Sequence, residues 1–155
     1  MTDEMRKNFT LRISQANKSE MTVILYEMYL VYLDEAIHSK DDRQKMRGAI
    51  KNARGCISEF MQSLDFNYEL SYYLLRLYVY VNKEMAGADV RGDVESLKIC
   101  KKIMTELMEA YREVGKADTS GPVMENTQAV YAGLTYGKGE LTESLSHERN
   151  RGFLV

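Results

Sequence analysis

The stretch YELSYYLLRLYVYV, Tyr68 to Val81, indicates a helix that is apolar on nearly all of its circumference. It contains five tyrosines and four leucines, only two charged residues and no glycine or proline, so nothing in it interrupts a helix. A helix of a soluble bundle needs one apolar face of somewhat more than 100°. The surplus apolar surface of this helix must therefore be covered by something.

Two apolar stripes run along this helix on roughly opposite sides, because successive residues turn by about 100°. One stripe consists of Leu70, Leu74, Leu77 and Val81, and the other of Tyr68, Tyr72, Leu75 and Val79. A helix earlier in the chain has the same double pattern. Its stripes are Met21, Leu25, Met28, Tyr32 and Ala36, and Val23, Tyr26, Leu30, Leu33 and Ile37. Its acidic residues Glu20, Glu27 and Asp34 form a line that we expect to be solvated.

The remaining periodicity predicts an all-α protein with four long helices. They extend from Asn17 to about His38, from residues 39–42 to about Leu64, from about Phe66 to Met85, and from Asp89 or Asp93 to about Gly115. Gly87 is the expected end of the third helix. Similar lengths and short connections favour an antiparallel up-down four-helix bundle.

The predicted division of the chain follows from composition. Residues 1–115 form the bundle domain, in which residues 1–16 are a short N-terminal segment or helix and residues 17–115 the four long helices. Residues 116–155 contain five of the ten glycines and the single proline, so we expect a loosely ordered, flexible tail. Within this tail, AVYAGLTYGKGEL (residues 129–141) is apolar enough to dock on a protein surface.

Several function classes find little support in the sequence. The net charge of −2 argues against a nucleic-acid partner, and no apolar run approaches the ~20 residues of a membrane span. The start of the chain has no signal-peptide pattern. Cys56 and Cys100 are expected to be buried thiols. Glu35 and His38 make a single Glu-x-x-His motif where a di-metal bundle needs two, so we expect no metal, no cofactor and no enzyme.

Four short motifs resemble a known family. They are NKSEMTVILYEM at the start of the first long helix, SLD at Ser63 to Asp65, LLRLYVYV from Leu74 to Val81, and Ala88, Asp89 and Asp93 before the last helix. In order and spacing, they resemble the FliS family of flagellar export chaperones over about residues 17–114.

This resemblance implies a cytoplasmic chaperone that binds the disordered C-terminal segment of flagellin, prevents premature polymerisation and delivers flagellin to the export machinery. We assign the binding residues to the second stripes, with Val23, Tyr26, Leu30 and Leu33 on one helix and Tyr68, Tyr72, Leu75 and Val79 on the other; the sequence leaves open which stripe of each helix faces outward. The N-terminal segment can cover such a surface in the family, and Phe9 and Ile13 are the residues that would do so here.

Three alternatives stay open at this stage. The second stripes could pack internally, against the N-terminal segment, the tail or a neighbouring helix. They could instead serve self-association, as in a homodimer without affinity for flagellin. The tail segment AVYAGLTY could be an internal competitor for the binding surface, in which case deletion of residues 116–155 would strengthen the binding of a flagellin peptide.

Overall fold

A computed structural model describes residues 1–125, and within this range the chain forms five α-helices and no strand. The helices are α1 (Asp3–Gln15), α2 (Lys18–His38), α3 (Arg43–Gln62), α4 (Glu69–Arg91) and α5 (Val94–Gly115). The all-α prediction is confirmed for these residues. Residues 126–155, which include the apolar segment AVYAGLTYGKGEL, lie outside the described part of the chain.

The four long helices surround one core. Helix α2 packs against both α3 and α5, and α4 also packs against both α3 and α5, so that α2 and α4 occupy diagonal positions. Helix α1 contacts α2 alone among the five helices. None of the five helices has both the length and the apolar character that would let it cross a membrane.

Side chains that precede each helix explain where several helices begin. Asn17 and Glu20 form the predicted capping box at the start of α2, in which each side chain accepts a hydrogen bond from the other residue's backbone N–H. Asp42 caps α3 by accepting from the backbone of Lys45, and Asp93 caps α5. The sequence named all of these caps or their immediate neighbourhood correctly.

The predicted end of α4 was wrong. The helix continues through Gly87 and ends at Gly92, which adopts a left-handed backbone with φ of 69°. Glycine fits at position 87 because the Arg91 guanidinium lies against the backbone there. A Cβ atom at this position would be only 2.8 Å from Nη1 of Arg91. Ala88 is fully buried, so the last turn of α4 is held by core packing.

The core consists of tyrosine, methionine and aliphatic side chains. Its largest fully buried members are Tyr26, Tyr29, Leu33, Met46, Ile50, Ile57, Tyr78, Val81, Met85, Leu97 and Met104. Cys56 and Cys100 are buried free thiols, as expected, and burial raises their pKa values to about 11 and about 12.

Candidate partner-binding surface

Helices α2 and α4 resemble each other in sequence but differ in how completely the protein covers them. The side of α2 that faces away from the core is covered by α1, in a small cluster of Phe9, Ala16 and Ile24. The corresponding side of α4 is covered by no other helix of residues 1–125. The apolar face of α2 that points away from the core therefore packs against α1, whereas the corresponding face of α4 is left at the surface.

The exposed apolar side chains of α4 and of the residues just before it form the surface that we call the α4 surface. It consists of Phe66, Tyr68, Leu70, Tyr72, Tyr73, Val79 and Tyr80, of which Tyr68 is 67% exposed and Tyr72 53% exposed. Exposed apolar side chains of this kind mark interaction sites, and tyrosine suits them because it offers area and a polar end at little entropic cost.

Ring contacts order part of the α4 surface. The rings of Phe66 and Tyr72 lie 5.2 Å apart between centroids in a tilted arrangement. The Arg76 guanidinium lies 6.0 Å from the ring centroid of Tyr73, within reach of a cation–π contact. The surface thus combines partly preorganised aromatic rings with a positive charge, and Lys83 adds another one turn beyond Tyr80.

The predicted binding residues divide between surface and core. Tyr68, just before α4, and Tyr72 and Val79 on it are exposed and Leu75 is partly buried, so this stripe faces outward. On α2, Val23 is 9% exposed, Tyr26 and Leu33 are fully buried, and Leu30 packs partly buried against the core.

The α2 half of the predicted groove therefore does not form part of an exposed surface. The reason is that these α2 residues face the core, where Tyr26 reaches across to Tyr78 of α4. The hydroxyl oxygens of Tyr26 and Tyr78 lie 2.5 Å apart there. Binding of a partner by these eight residues stays a prediction.

Phe9 and Ile13 cover an apolar face, but one that differs from the predicted groove. Phe9 is 8% exposed and packs with Ile24, while Ile13 is partly buried in the same cluster. The residues that α1 covers are Met21, Ile24, Met28 and Val31. The periodic pattern does not single out Ile24 and Val31, because they lie between the two stripes.

The acidic line of α2 is paired and not simply solvated. Glu27 binds Arg12 of α1 through one carboxylate oxygen and Arg112 of α5 through the other, at 2.5 and 3.1 Å. Asp34 pairs with Lys101 of α5 at 2.7 Å. This line is an ion-pair seam that joins α2 to its neighbours.

A cavity of about 250 Å³ opens beside the α4 surface at one end of the bundle. Tyr68 and Leu70 lie at its exposed side, and Tyr78 and Tyr111 belong to its lining on the core side. No local pattern predicts this cavity, because its lining comes from four helices and the α3–α4 connection. Its size and apolar walls suit an inserted aliphatic or aromatic side chain.

The described residues show no arrangement typical of metal chemistry. No group of three or more His, Cys, Asp or Glu side chains comes together within residues 1–125. The carboxylate of Glu35 instead binds the N-terminal amino group at 2.6 Å, and His38 contacts the Asp34 carbonyl at 2.7 Å.

These features define a helical-bundle protein with an exposed aromatic surface suited to binding another protein. The family model for the flagellar protein FliS matches residues 1–118, which include all five helices, and the chain belongs to the FliS family. No curated protein matches the chain at a significant level. Family membership implies a flagellar chaperone role, with flagellin and the export machinery as partners in general; the family is not known to be enzymatic.

Proposed function

We propose that this protein is a flagellin export chaperone that holds the disordered C-terminal segment of flagellin on the α4 surface. The bound segment is kept from polymerising until the complex reaches the export machinery. The place of action is the cytoplasm, where the family acts. Binding and release are the whole activity in this proposal, and no chemical step is required of the chaperone.

The observation that carries the proposal is the unequal covering of α2 and α4. Both helices have a surplus apolar face, but α1 covers only that of α2. The outward residues Tyr68, Tyr72 and Val79 of α4 are each more than half exposed. A soluble protein that retains such a surface has a partner for it, and the family supplies flagellin as that partner.

The apolar character of the α4 surface suits a segment that folds as it binds. Coupled folding and binding typically buries ~1,000–3,000 Å² and costs ~2–5 kcal/mol in ordering. Apolar contact along the seven residues of the α4 surface offsets part of that cost. The cavity beside Tyr68 and Leu70 gives one side chain of the segment a defined position, which fixes its register.

We infer that α2 to α5 form the antiparallel up-down bundle that the connections predict. The pairs Ser19–Asp118, Glu27–Arg112 and Asp34–Lys101 support this topology. As the residue number rises along α2, the number of the paired residue on or after α5 falls, so the two helices are antiparallel. In such a bundle the exposed start of α4 lies at the same end as the start of α2.

We also propose that residues 1–115 are the chaperone domain and that residues 116–155 are an appended segment. The end of α5 at Gly115 supports this division. Residues 116–125 form neither helix nor strand, and three of them bond to the α1–α2 region. The rest of the appended segment lies outside the described residues.

Calorimetric titration with a peptide of the flagellin C-terminal segment tests the proposal. We expect tight binding with a large negative heat-capacity change, the mark of apolar burial. Val79→Ala should weaken binding about 3- to 10-fold, because it removes apolar contact from the α4 surface. Val114→Ala is the matched control, since Val114 is an exposed valine on α5. Equal effects of the two substitutions, or no binding at all, would count against the proposal.

Self-association is a second candidate function, and the same exposed surface favours it. Two copies that paired their α4 surfaces would bury Tyr72 and Val79 without any flagellin. This alternative predicts a dimer at micromolar concentration in light scattering and its loss in the Val79→Ala variant. A monomer at these concentrations excludes it.

A further inference from the structure

The two residues that join α1 to α2 are buried, although so short a connection normally lies at the surface. Ala16 is 2% exposed and Asn17 is 5% exposed. The chain that covers this joint comes from the other end of the described range. Residues 118–123, which follow α5, return to the joint between α1 and α2.

Three hydrogen bonds tie this returning segment to the joint. The Val123 backbone N–H donates to the Ala16 carbonyl oxygen at 3.0 Å. The Asn17 side-chain amide donates to the Ser120 carbonyl oxygen at 3.3 Å. The Ser19 hydroxyl donates to the Asp118 carboxylate at 2.6 Å.

Asn17 takes part in both the start of α2 and the attachment of the segment. Its side-chain oxygen accepts from the Glu20 backbone N–H at 2.9 Å, while its amide nitrogen binds Ser120. The Ala16 carbonyl would have no partner in its buried position without the Val123 N–H, and buried carbonyl groups are nearly always paired. The segment is therefore fitted to the joint and does not merely pass by it.

The segment is also organised internally by Asp118. Its carboxylate accepts hydrogen bonds from the backbone N–H and the hydroxyl of Ser120 as well as from Ser19. These hydrogen bonds, of which the one from the Ser120 hydroxyl has the largest effect, lower the pKa of Asp118 to about 2. The carboxylate consequently stays ionised, and remains an acceptor, throughout the neutral range.

Apart from the joint, α1 is held by few contacts and by α2 alone among the helices. Phe9 and Ile13 pack in the small cluster with Ile24, Arg12 pairs with Glu27, and the N-terminal amino group pairs with Glu35. A helix attached in this way can separate from α2 as a unit without disturbing the main core.

We propose that residues 118–123 act as a clasp that controls how often α1 separates from α2. The clasp thereby regulates the exposure of the apolar α2 face formed by Met21, Ile24, Met28 and Val31. A partner that draws the chain after α5 away from the joint releases α1. This inference does not rest on flagellin binding, because the opening of α1 is a property of the free protein.

Hydrogen exchange of the full-length protein, followed by mass spectrometry, tests the clasp. Asp118→Ala removes the acceptor for Ser19, and Val123→Pro removes the N–H that binds Ala16 while leaving the side chains at the joint in place. We expect each change to speed exchange of the amides of α1 about fivefold, the effect of about one net hydrogen bond on a local opening equilibrium. The amides of α3 should exchange as before.

Two matched controls separate the clasp from a general effect of substitution. Thr119→Ala changes an exposed side chain within the segment, and Met124→Pro places proline one residue further on. Neither should alter exchange in α1. The clasp is refuted if both Asp118→Ala and Val123→Pro leave α1 exchange unchanged. It is equally refuted if α1 and α3 exchange accelerate together, since that pattern means global destabilisation.

Discussion

Tyr26 of α2 and Tyr78 of α4 share a hydrogen bond across the core, with their hydroxyl oxygens 2.5 Å apart. The ring of Phe60 from α3 lies 4.2 Å from the Tyr26 ring and 5.3 Å from the Tyr78 ring, between centroids. The ring of Tyr111 from α5 is 5.5 Å from that of Tyr26. All four long helices therefore contribute an aromatic ring to one buried cluster.

Tyr78→Phe should lower the free energy of unfolding by about 1–3 kcal/mol, because it leaves the buried Tyr26 hydroxyl without its partner. Combining it with Tyr26→Phe should restore part of that loss, since both polar groups are then absent. Urea unfolding of the wild type, both single variants and the double variant measures this coupling. Strictly additive losses would contradict a hydrogen bond that matters for stability.

Stability should fall at alkaline pH. Burial raises the pKa of Cys56 from 9.0 to about 11 and that of Cys100 from 9.0 to about 12, and it also raises the pKa values of Tyr26, Tyr29 and Tyr78 above 10.0. Above about pH 9 the unfolded chain loses these protons first and binds fewer than the folded chain. The free energy of unfolding therefore decreases as pH rises from about 9 to about 12.

Urea midpoints measured by circular dichroism between about pH 8 and pH 10.5 check this dependence. A variant with Cys56→Ala and Cys100→Ala should have a shallower decline near pH 9 to 10, because only the tyrosines then contribute. A midpoint that stays constant, or increases, over this range would contradict the assignment of the buried groups.

The sequence predicted the helices well because their signals are local. The capping box at Asn17 and Glu20 and the stripes at three- and four-residue steps depend only on neighbours in the chain. The predicted end of α4 at Gly87 was wrong. Glycine is a local signal for a helix end, but tertiary packing overrides it here, because the neighbouring Ala88 is buried in the core. Local patterns report which residues are apolar, but not which neighbour covers them.

The candidate site illustrates the same limit. Periodicity identified two stripes on α2 and two on α4, yet it could not show that α2 has neighbours on every side while α4 does not. The structure places Tyr72 and Val79 outward and Tyr26 and Leu33 inward, a choice that the sequence pattern left open. The covering of α2 by Phe9 depends on how α1 turns at Ala16, which residues 118–123 help to fix.

Phe9→Ala should loosen α1 from α2, because Phe9 is the largest side chain in the cluster between them. If α1 covers part of the surface that flagellin uses, this variant should bind the flagellin peptide about 3- to 10-fold more tightly, since less free energy is spent on opening. Met5→Ala is the control, as Met5 is an exposed residue of the same helix. Unchanged affinity in Phe9→Ala would show that the α2 face takes no part in binding, and weaker binding would show that α1 itself contributes contacts.

Two deletions distinguish the clasp from the proposed competitor AVYAGLTY (residues 129–136), which lies outside the described residues. Removing residues 126–155 deletes the competitor and keeps the clasp, whereas removing residues 116–155 deletes both. A competitor that occupies the binding surface about 90% of the time reduces the apparent affinity about tenfold. The shorter deletion should therefore tighten flagellin-peptide binding by about that factor in titration calorimetry. The longer deletion should in addition speed hydrogen exchange in α1. If the shorter deletion leaves the affinity for the flagellin peptide unchanged or lowers it, the competitor hypothesis is wrong. Any increase in affinity that only the longer deletion causes is then due to loss of the clasp.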